Sequence, residues 1–147
     1  MPTRIAHARW EGDLKGKGRV DFGNGAFEGN YSFASRFENG EGTNPEEMLG
    51  AAHASCFAMA LSLALSNAGK RPDYVDAIAQ VTVKPQNGGF KITRSHLVCR
   101  AEVPGLDRAT FLRTAEEAKA NCPVSQALAG TEITLDAELV ESVQPSA

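Results

Sequence analysis

The stretch that most constrains this chain runs from Asn44 to Gly69, NPEEMLGAAHASCFAMALSLALSNAG, apolar over most of its length with one cysteine, Cys56, near its middle. Asn44 suits the N-cap, Pro45 the first helical position, and Glu47 the reciprocal half of a capping box. No proline or β-branched residue follows before Gly69, which is placed to end the helix in a left-handed conformation. One helix is predicted over about Pro45 to Ala68. Leu49, Ala52, Cys56, Met59 and Leu63 cover one side of it, while Phe57, Ala60, Leu61, Ala64 and Leu65 fill much of the rest. A helix that is apolar all round is buried, in a core or in a bilayer. The run is long enough to cross a membrane. His53, Ser55, Cys56, Ser62, the many alanines and the lack of a basic flanking loop favour a buried central helix instead.

A chain of 147 residues has the size of one domain with one proper core. Its net charge of −3 argues against nucleic acid as a partner. The opening MPTRIAHARW has neither an apolar h-region nor a cleavage signal, so a cytoplasmic protein is expected. In that reducing compartment three cysteines do not imply a structural disulfide, and a cysteine with a chemical task becomes the alternative.

Strands are expected at Ile5 to Trp10, Arg19 to Phe22 and Ala26 to Phe33, joined by EGDLKGKG and by the Asn24-Gly25 turn into an antiparallel meander. Ser35 to Thr43, polar and glycine-rich, reads as a loop that carries Arg36. After the central helix, Tyr74 to Lys84 and Phe90 to Val103 form a hairpin about Asn87-Gly88-Gly89. Asp107 then caps a second helix, about Arg108 to Ala120, with Phe111, Leu112, Ala115 and Ala118 on one face. Asn121-Cys122-Pro123 interrupts it, and a short helical turn follows to Leu128. A last strand, Glu132 to Val140, points Ile133, Leu135, Ala137 and Leu139 inward, and the tail ESVQPSA is expected to fray. The order implies an α+β fold, with largely antiparallel sheets packed around a long buried central helix. So apolar a helix is hard to enclose in so small a domain, and dimerisation around it would complete the burial.

Cys56 sits in one of the least polar places in the chain. Burial alone raises a thiol pKa, so Cys56 is either an inert core residue or a reactive one that has a cation or donor brought to it. Cys122 precedes Pro123 at a helix start, where free backbone N–H groups favour a thiolate. If the two meet, they have the layout of an attacking thiolate and a resolving thiol. Cys99, on a strand, reads as structural. Arg36 could hold the Cys56 thiolate, and Glu46 could orient the guanidinium bidentately; the alternative for each is a solvated surface charge. His53 shares a helix face with Cys56, open to a Cys–His pair, half of a metal site or a hydrogen-bonded structural role. His7 and His96 show no ligand spacing.

The segments WEGDLKGKG, YSFASRFENGEGTNPEE, GTNPEEMLGAAHASCFAMALSLALSNAG and KANCPVSQAL closely resemble the osmotically inducible protein C (OsmC) family, sister to the organic hydroperoxide resistance (Ohr) proteins. The likeness runs from about Ala6 to Leu139. SRFENGEGTNPEE is more similar to the OsmC branch than to the Ohr branch, where the activating arginine comes from nearer the N-terminus. The resemblance implies a thiol-dependent peroxidase working as an intertwined homodimer with two sites at the subunit interface. Position by position, Cys56 matches the peroxidatic cysteine, Cys122 the resolving cysteine, and Arg36 with Glu46 the charged pair that activates the thiolate. Cys99 and His53 match no catalytic position.

The implied cycle is attack of the Cys56 thiolate on a hydroperoxide, condensation of the sulfenic acid with Cys122, and reduction of the disulfide by an external dithiol. A lipoylated protein is the kind of reductant the sister branch implies. The apolar residues around Cys56 favour organic hydroperoxides over hydrogen peroxide. The cysteines supply the redox chemistry, so no metal, flavin or haem cofactor is required. Three other readings stand beside this one: a redox-sensing protein with slow turnover, a module that binds a small apolar ligand, and a Cys–His hydrolase dependent on His53.

Overall fold

The computed structural model describes residues 2–141; the expected fraying of the tail falls, from residue 142 on, outside the described residues. The chain divides into two compact units, Met1–Met48 and Leu49–Ala147, taken here one at a time.

In the first unit β1 (Ala6–Glu11), β2 (Lys17–Phe22) and β3 (Glu28–Tyr31) form the expected antiparallel meander in the order β1-β2-β3. Asn24 closes the second turn by accepting from the Ala26 amide at 2.9 Å. Trp10 and Tyr31 stack across the sheet with ring centroids 5.4 Å apart. Gly18 lies beneath them, and a Cβ there would fall 2.5 Å from the Tyr31 ring, so only glycine admits this contact.

The chain that follows is not wholly a loop. α1 (Phe33–Phe37) is a short helix with a serine capping box: the Ser35 amide donates to the Ser32 hydroxyl at 3.1 Å, and the Ser32 amide donates to the Ser35 hydroxyl at 2.8 Å. A serine at the third position, in place of the usual Glu or Gln, hides the box from a sequence reading. Arg36 therefore projects from a capped helix rather than from a flexible segment. At the entry to α2 (Pro45–Asn67) Asn44 caps as expected, its carboxamide oxygen accepting from the Glu47 amide at 2.7 Å. The reciprocal half of that box does not form. Glu47 instead accepts from the Thr43 hydroxyl at 3.0 Å.

In the second unit α2 ends where the sequence predicts, with Gly69 at φ +81° and the Lys70 amide donating to the Leu65 carbonyl at 2.9 Å. β4 (Tyr74–Gln86) and β5 (Gly89–Glu102) form the long hairpin. α3 (Arg108–Asn121) and α4 (Pro123–Ala127) then carry the chain over to β6 (Glu132–Leu139), which pairs parallel to β5. The parallel pairing follows from that helical crossover, since a parallel neighbour cannot be reached by a tight turn. The core joins Phe57, Leu61 and Leu65 of α2 to Leu97, Cys99 and Ala101 of β5 and to Phe111, Ala115 and Ala118 of α3. Burying Phe57, Leu61 and Leu65 contributes roughly 1.5–3 kcal/mol each. At Gly50 α2 passes close to β4: a Cβ there would lie 3.4 Å from the Ala79 carbonyl oxygen.

Within one chain α2 is buried on this face alone. Met59 is 77% exposed and Leu63 63%, on the opposite side of the helix. α2 is also, among the described residues, the one helix long and apolar enough to cross a membrane. Its buried face, however, is keyed into protein by hydrogen bonds as well as by apolar packing.

Candidate active site

The sequence singles out four residues, and the structure gathers them as two pairs, one in each unit. In the first unit Arg36 and Glu46 form a bidentate ion pair: Nε lies 3.0 and 3.2 Å from the two carboxylate oxygens, and Nη2 lies 2.7 Å from Oε1. The carboxylate is buried, 8% exposed against 34% for the arginine side chain. A buried carboxylate needs this partner, and the fork geometry fixes the guanidinium plane. The Arg36 guanidinium also lies over the Phe37 ring at 5.1 Å. Beside it opens a cleft of about 240 Å³ walled by Trp10, Leu14, Tyr31, Phe33 and Phe37.

In the second unit Cys56, midway along α2, and Cys122, between α3 and α4, meet as free thiols that act on each other's acidity. Cys56 is partly buried and Cys122 fully so. Burial raises the Cys56 pKa, and so does the neighbouring Cys122 thiol; the Val124 amide acts the other way without reversing the result. Burial also opposes ionisation of Cys122. There, however, the Cys56 thiol, the amide and hydroxyl of Ser125 and the Val124 amide outweigh it and lower the pKa. The Cys122 backbone reaches this position because its amide caps α3 through the Ala118 carbonyl at 2.9 Å while Pro123 opens α4.

His53 is completely buried one turn before Cys56. Its Nδ1 is 2.7 Å from the Ser95 hydroxyl of β5, and its Nε2 is 2.8 Å from the Ser125 hydroxyl of α4. Both ring nitrogens are thereby occupied, and burial lowers the pKa, so the ring is neutral. This is the hydrogen-bonded role, and no ring nitrogen remains for a hydrolytic base or a metal. Ser95 and Ser125 are partners that the sequence does not point to. Ser95 is 42 residues from His53 with no periodic relation to it, whereas Ser125, three residues after Cys122, lies inside the CPVS motif. Cys99 is buried, and desolvation with the nearby Asp76 charge pushes its pKa up to about 11, in keeping with a structural role. His7 pairs with Asp21, and His96 with Thr134 and Asp136, away from both cysteines in the hydrogen-bond pattern. Among the described residues no three His, Cys, Asp or Glu side chains gather to hold a metal ion.

Residues 38–138 match the family model described as OsmC-like protein. The chain is 50% identical over 134 residues to peroxiredoxin OsmC of Escherichia coli, covering 90% of this chain and 93% of that protein. It is 35% identical over 98 residues to an organic hydroperoxide resistance protein of Xanthomonas axonopodis pv. citri, covering 65% of this chain and 67% of the relative. A crystal structure of an organic hydroperoxide resistance protein from Elizabethkingia anophelis superposes with a TM-score of 0.70 at 25% identity, covering 97% of this chain and 98% of the other. The chain belongs to the OsmC family.

Proposed function

We propose that this OsmC-family chain is a cysteine-based peroxidase that reduces organic hydroperoxides, with Cys56 as the attacking thiolate, Cys122 as the resolving thiol and the Arg36–Glu46 pair as activator. The observation that carries the reading is that two free thiols, Cys56 and Cys122, drawn from distant parts of the chain, act on each other's acidity. The names of its relatives, a peroxiredoxin and an organic hydroperoxide resistance protein, support the same reaction class.

The chemistry follows in three steps. The Cys56 thiolate attacks one peroxide oxygen; the S–O bond forms, the O–O bond breaks, and the departing alkoxide takes a proton to leave as an alcohol. Cys122 then attacks the Cys56 sulfenic sulfur, giving the disulfide and water. An external dithiol, of the lipoyl type, returns both thiols by exchange. Burial and the neighbouring Cys122 thiol hold Cys56 protonated, so a cation is required to make it nucleophilic. Arg36, locked by Glu46, is the group suited to that role and to stabilising the alkoxide. The aromatic cleft beside Arg36 offers an alkyl or aryl substituent the burial that hydrogen peroxide cannot use. The whole chain acts as one OsmC-like domain in the cytoplasm. Two copies pair through the Met59 and Leu63 face of α2, which the described residues leave exposed.

The test is steady-state consumption of cumene hydroperoxide with dihydrolipoamide by the wild type, Cys56→Ser and Cys122→Ser. Many turnovers by the wild type and none by Cys56→Ser are expected, with kcat/KM higher for cumene hydroperoxide than for hydrogen peroxide. A wild type no faster than Cys56→Ser overturns the reading and leaves the sensing or ligand-binding alternatives.

A further inference from the structure

The resolving cysteine does not stand alone in the core. Three buried polar side chains, Ser95 on β5, His53 on α2 and Ser125 on α4, are bonded in series at 2.7 and 2.8 Å, and Ser125, three residues on from Cys122 in the helix that Cys122 begins, is among the groups that lower the Cys122 pKa. Burying three polar groups in a small core is costly unless they are satisfied, and apolar residues of similar volume would fill the space without that risk. Every one of these groups is satisfied within the unit.

We propose that Ser95, His53 and Ser125 form a hydrogen-bond relay that positions and polarises Cys122 for disulfide closure, with His53 and Ser125 as positioning residues. This rests on the reading of Cys122 as the resolving thiol.

The relay has two polarities. With Cys122 as a thiolate, the Ser95 hydroxyl donates to His53 Nδ1, His53 Nε2–H donates to Ser125, and the Ser125 hydroxyl donates to the sulfur. With Cys122 as a thiol, the chain reverses: S–H donates to Ser125, Ser125 donates to Nε2, and Nδ1–H donates to Ser95. A neutral imidazole, one donor and one acceptor, is the side chain that can serve both states, and burial keeps His53 neutral. The titratable groups facing Cys122 are Cys56 directly and His53 through one hydroxyl; Val124 adds only its amide. During closure the Cys122 thiolate sulfur bonds to the Cys56 sulfur, the S–O bond breaks, and the hydroxide leaves as water on taking a proton from solvent. The relay holds the thiolate until that step.

Ser125→Ala removes one hydroxyl and little volume, so it is the first variant. In a Cys56→Ser background, where serine still offers Cys122 a donor, the thiolate absorbance of Cys122 is titrated against pH; Cys99 ionises near pH 11 and stays silent over most of the range. A charge-assisted hydrogen bond lost here is expected to raise the Cys122 pKa by about one pH unit. In the two-cysteine protein, a single pulse of cumene hydroperoxide followed by acid quench and mass spectrometry separates sulfenic acid formation from closure. Formation of the sulfenic acid should be unchanged. Well below the pKa, closure should slow by roughly threefold, the lost thiolate fraction being partly offset by greater nucleophilicity. His53→Leu should act in the same direction, and His53→Gln, which keeps a donor toward Ser125, should restore part of both effects. An unchanged Cys122 titration and closure rate in folded Ser125→Ala overturns the relay. Absence of the sulfenic acid in the wild type would instead overturn the peroxidase reading beneath it.

Discussion

Cys56 and Cys122, 66 residues apart in the sequence, act on each other, and their acidities move in opposite directions: burial and then Cys122 push Cys56 up, whereas Cys56, Ser125 and Val124 together outweigh burial and bring Cys122 down. On the proposed roles, burial works against Cys56 as the attacking thiolate and the groups around Cys122 favour it as the resolving one. The proposed peroxidase reading therefore requires a cation at Cys56, and Arg36 is the residue on which to test it.

Arg36→Ala should accordingly abolish most of the reaction at neutral pH. Loss of the cation leaves Cys56 protonated, and thiolate formation on addition of hydroperoxide is expected to fall at least tenfold at pH 7, recovering as pH is raised. The variant also leaves the Glu46 carboxylate buried without its partner, at a cost of about 1–3 kcal/mol. Arg36→Ala with Glu46→Gln relieves that cost, so stopped-flow rates and urea midpoints on the single and double variants separate the two effects. Arg36→Lys should rescue only partly, because an ammonium cannot reproduce the bidentate fork. A wild-type rate in Arg36→Ala would remove Arg36 from the site.

Much of this was legible because local signals and tertiary structure agree. The Asn44 cap, the unbroken helix formers and Gly69 delimit α2 nearly to the residue, and the alternation of Ile133, Leu135, Ala137 and Leu139 defines β6. α1 was not legible, because its capping box uses serine against serine and its body is five residues long. Nor were the partners of His53: hydrogen bonds to Ser95 and Ser125 depend on where β5 and α4 pass α2, which no local pattern encodes. Apolar residues all round α2 mark burial without saying what covers each side. One chain covers the Phe57 and Leu61 side and leaves Met59 and Leu63 in solvent.

Cys99 supplies a pH prediction whose sign is fixed by its burial. Its folded pKa is about 11, above the ordinary thiol value of 9.0. Above pH 9 the unfolded chain loses this proton first, so the unfolded state binds fewer protons and stability falls as pH rises from about 9 toward 11. By pH 10.5 the loss attributable to Cys99 should be about 2 kcal/mol. Urea unfolding of wild type and Cys99→Ala at pH 8 and 10.5 measures it as a difference, in which the tyrosines and lysines common to both cancel. The same burial should shield Cys99 from iodoacetamide at pH 8 in the native protein. Equal pH dependence in the two proteins would show that Cys99 ionises freely.

Pairing through the outer face of α2 is testable because the described residues leave Met59 and Leu63 exposed. Placing a charge at either position costs the isolated fold little, since both side chains are more than half exposed there. In a homodimer packed on this face the same charge would be buried without a partner, at several kcal/mol per subunit. Leu63→Glu and Met59→Glu should therefore yield folded monomers with unchanged circular dichroism, seen by sedimentation equilibrium at concentrations where the wild type is dimeric. Should the peroxidase site be completed across the subunit interface, these variants will also lose turnover in proportion to the monomer fraction. Dimers of wild-type strength in both variants would place the interface on another surface and leave the apolar outer face of α2 without an explanation.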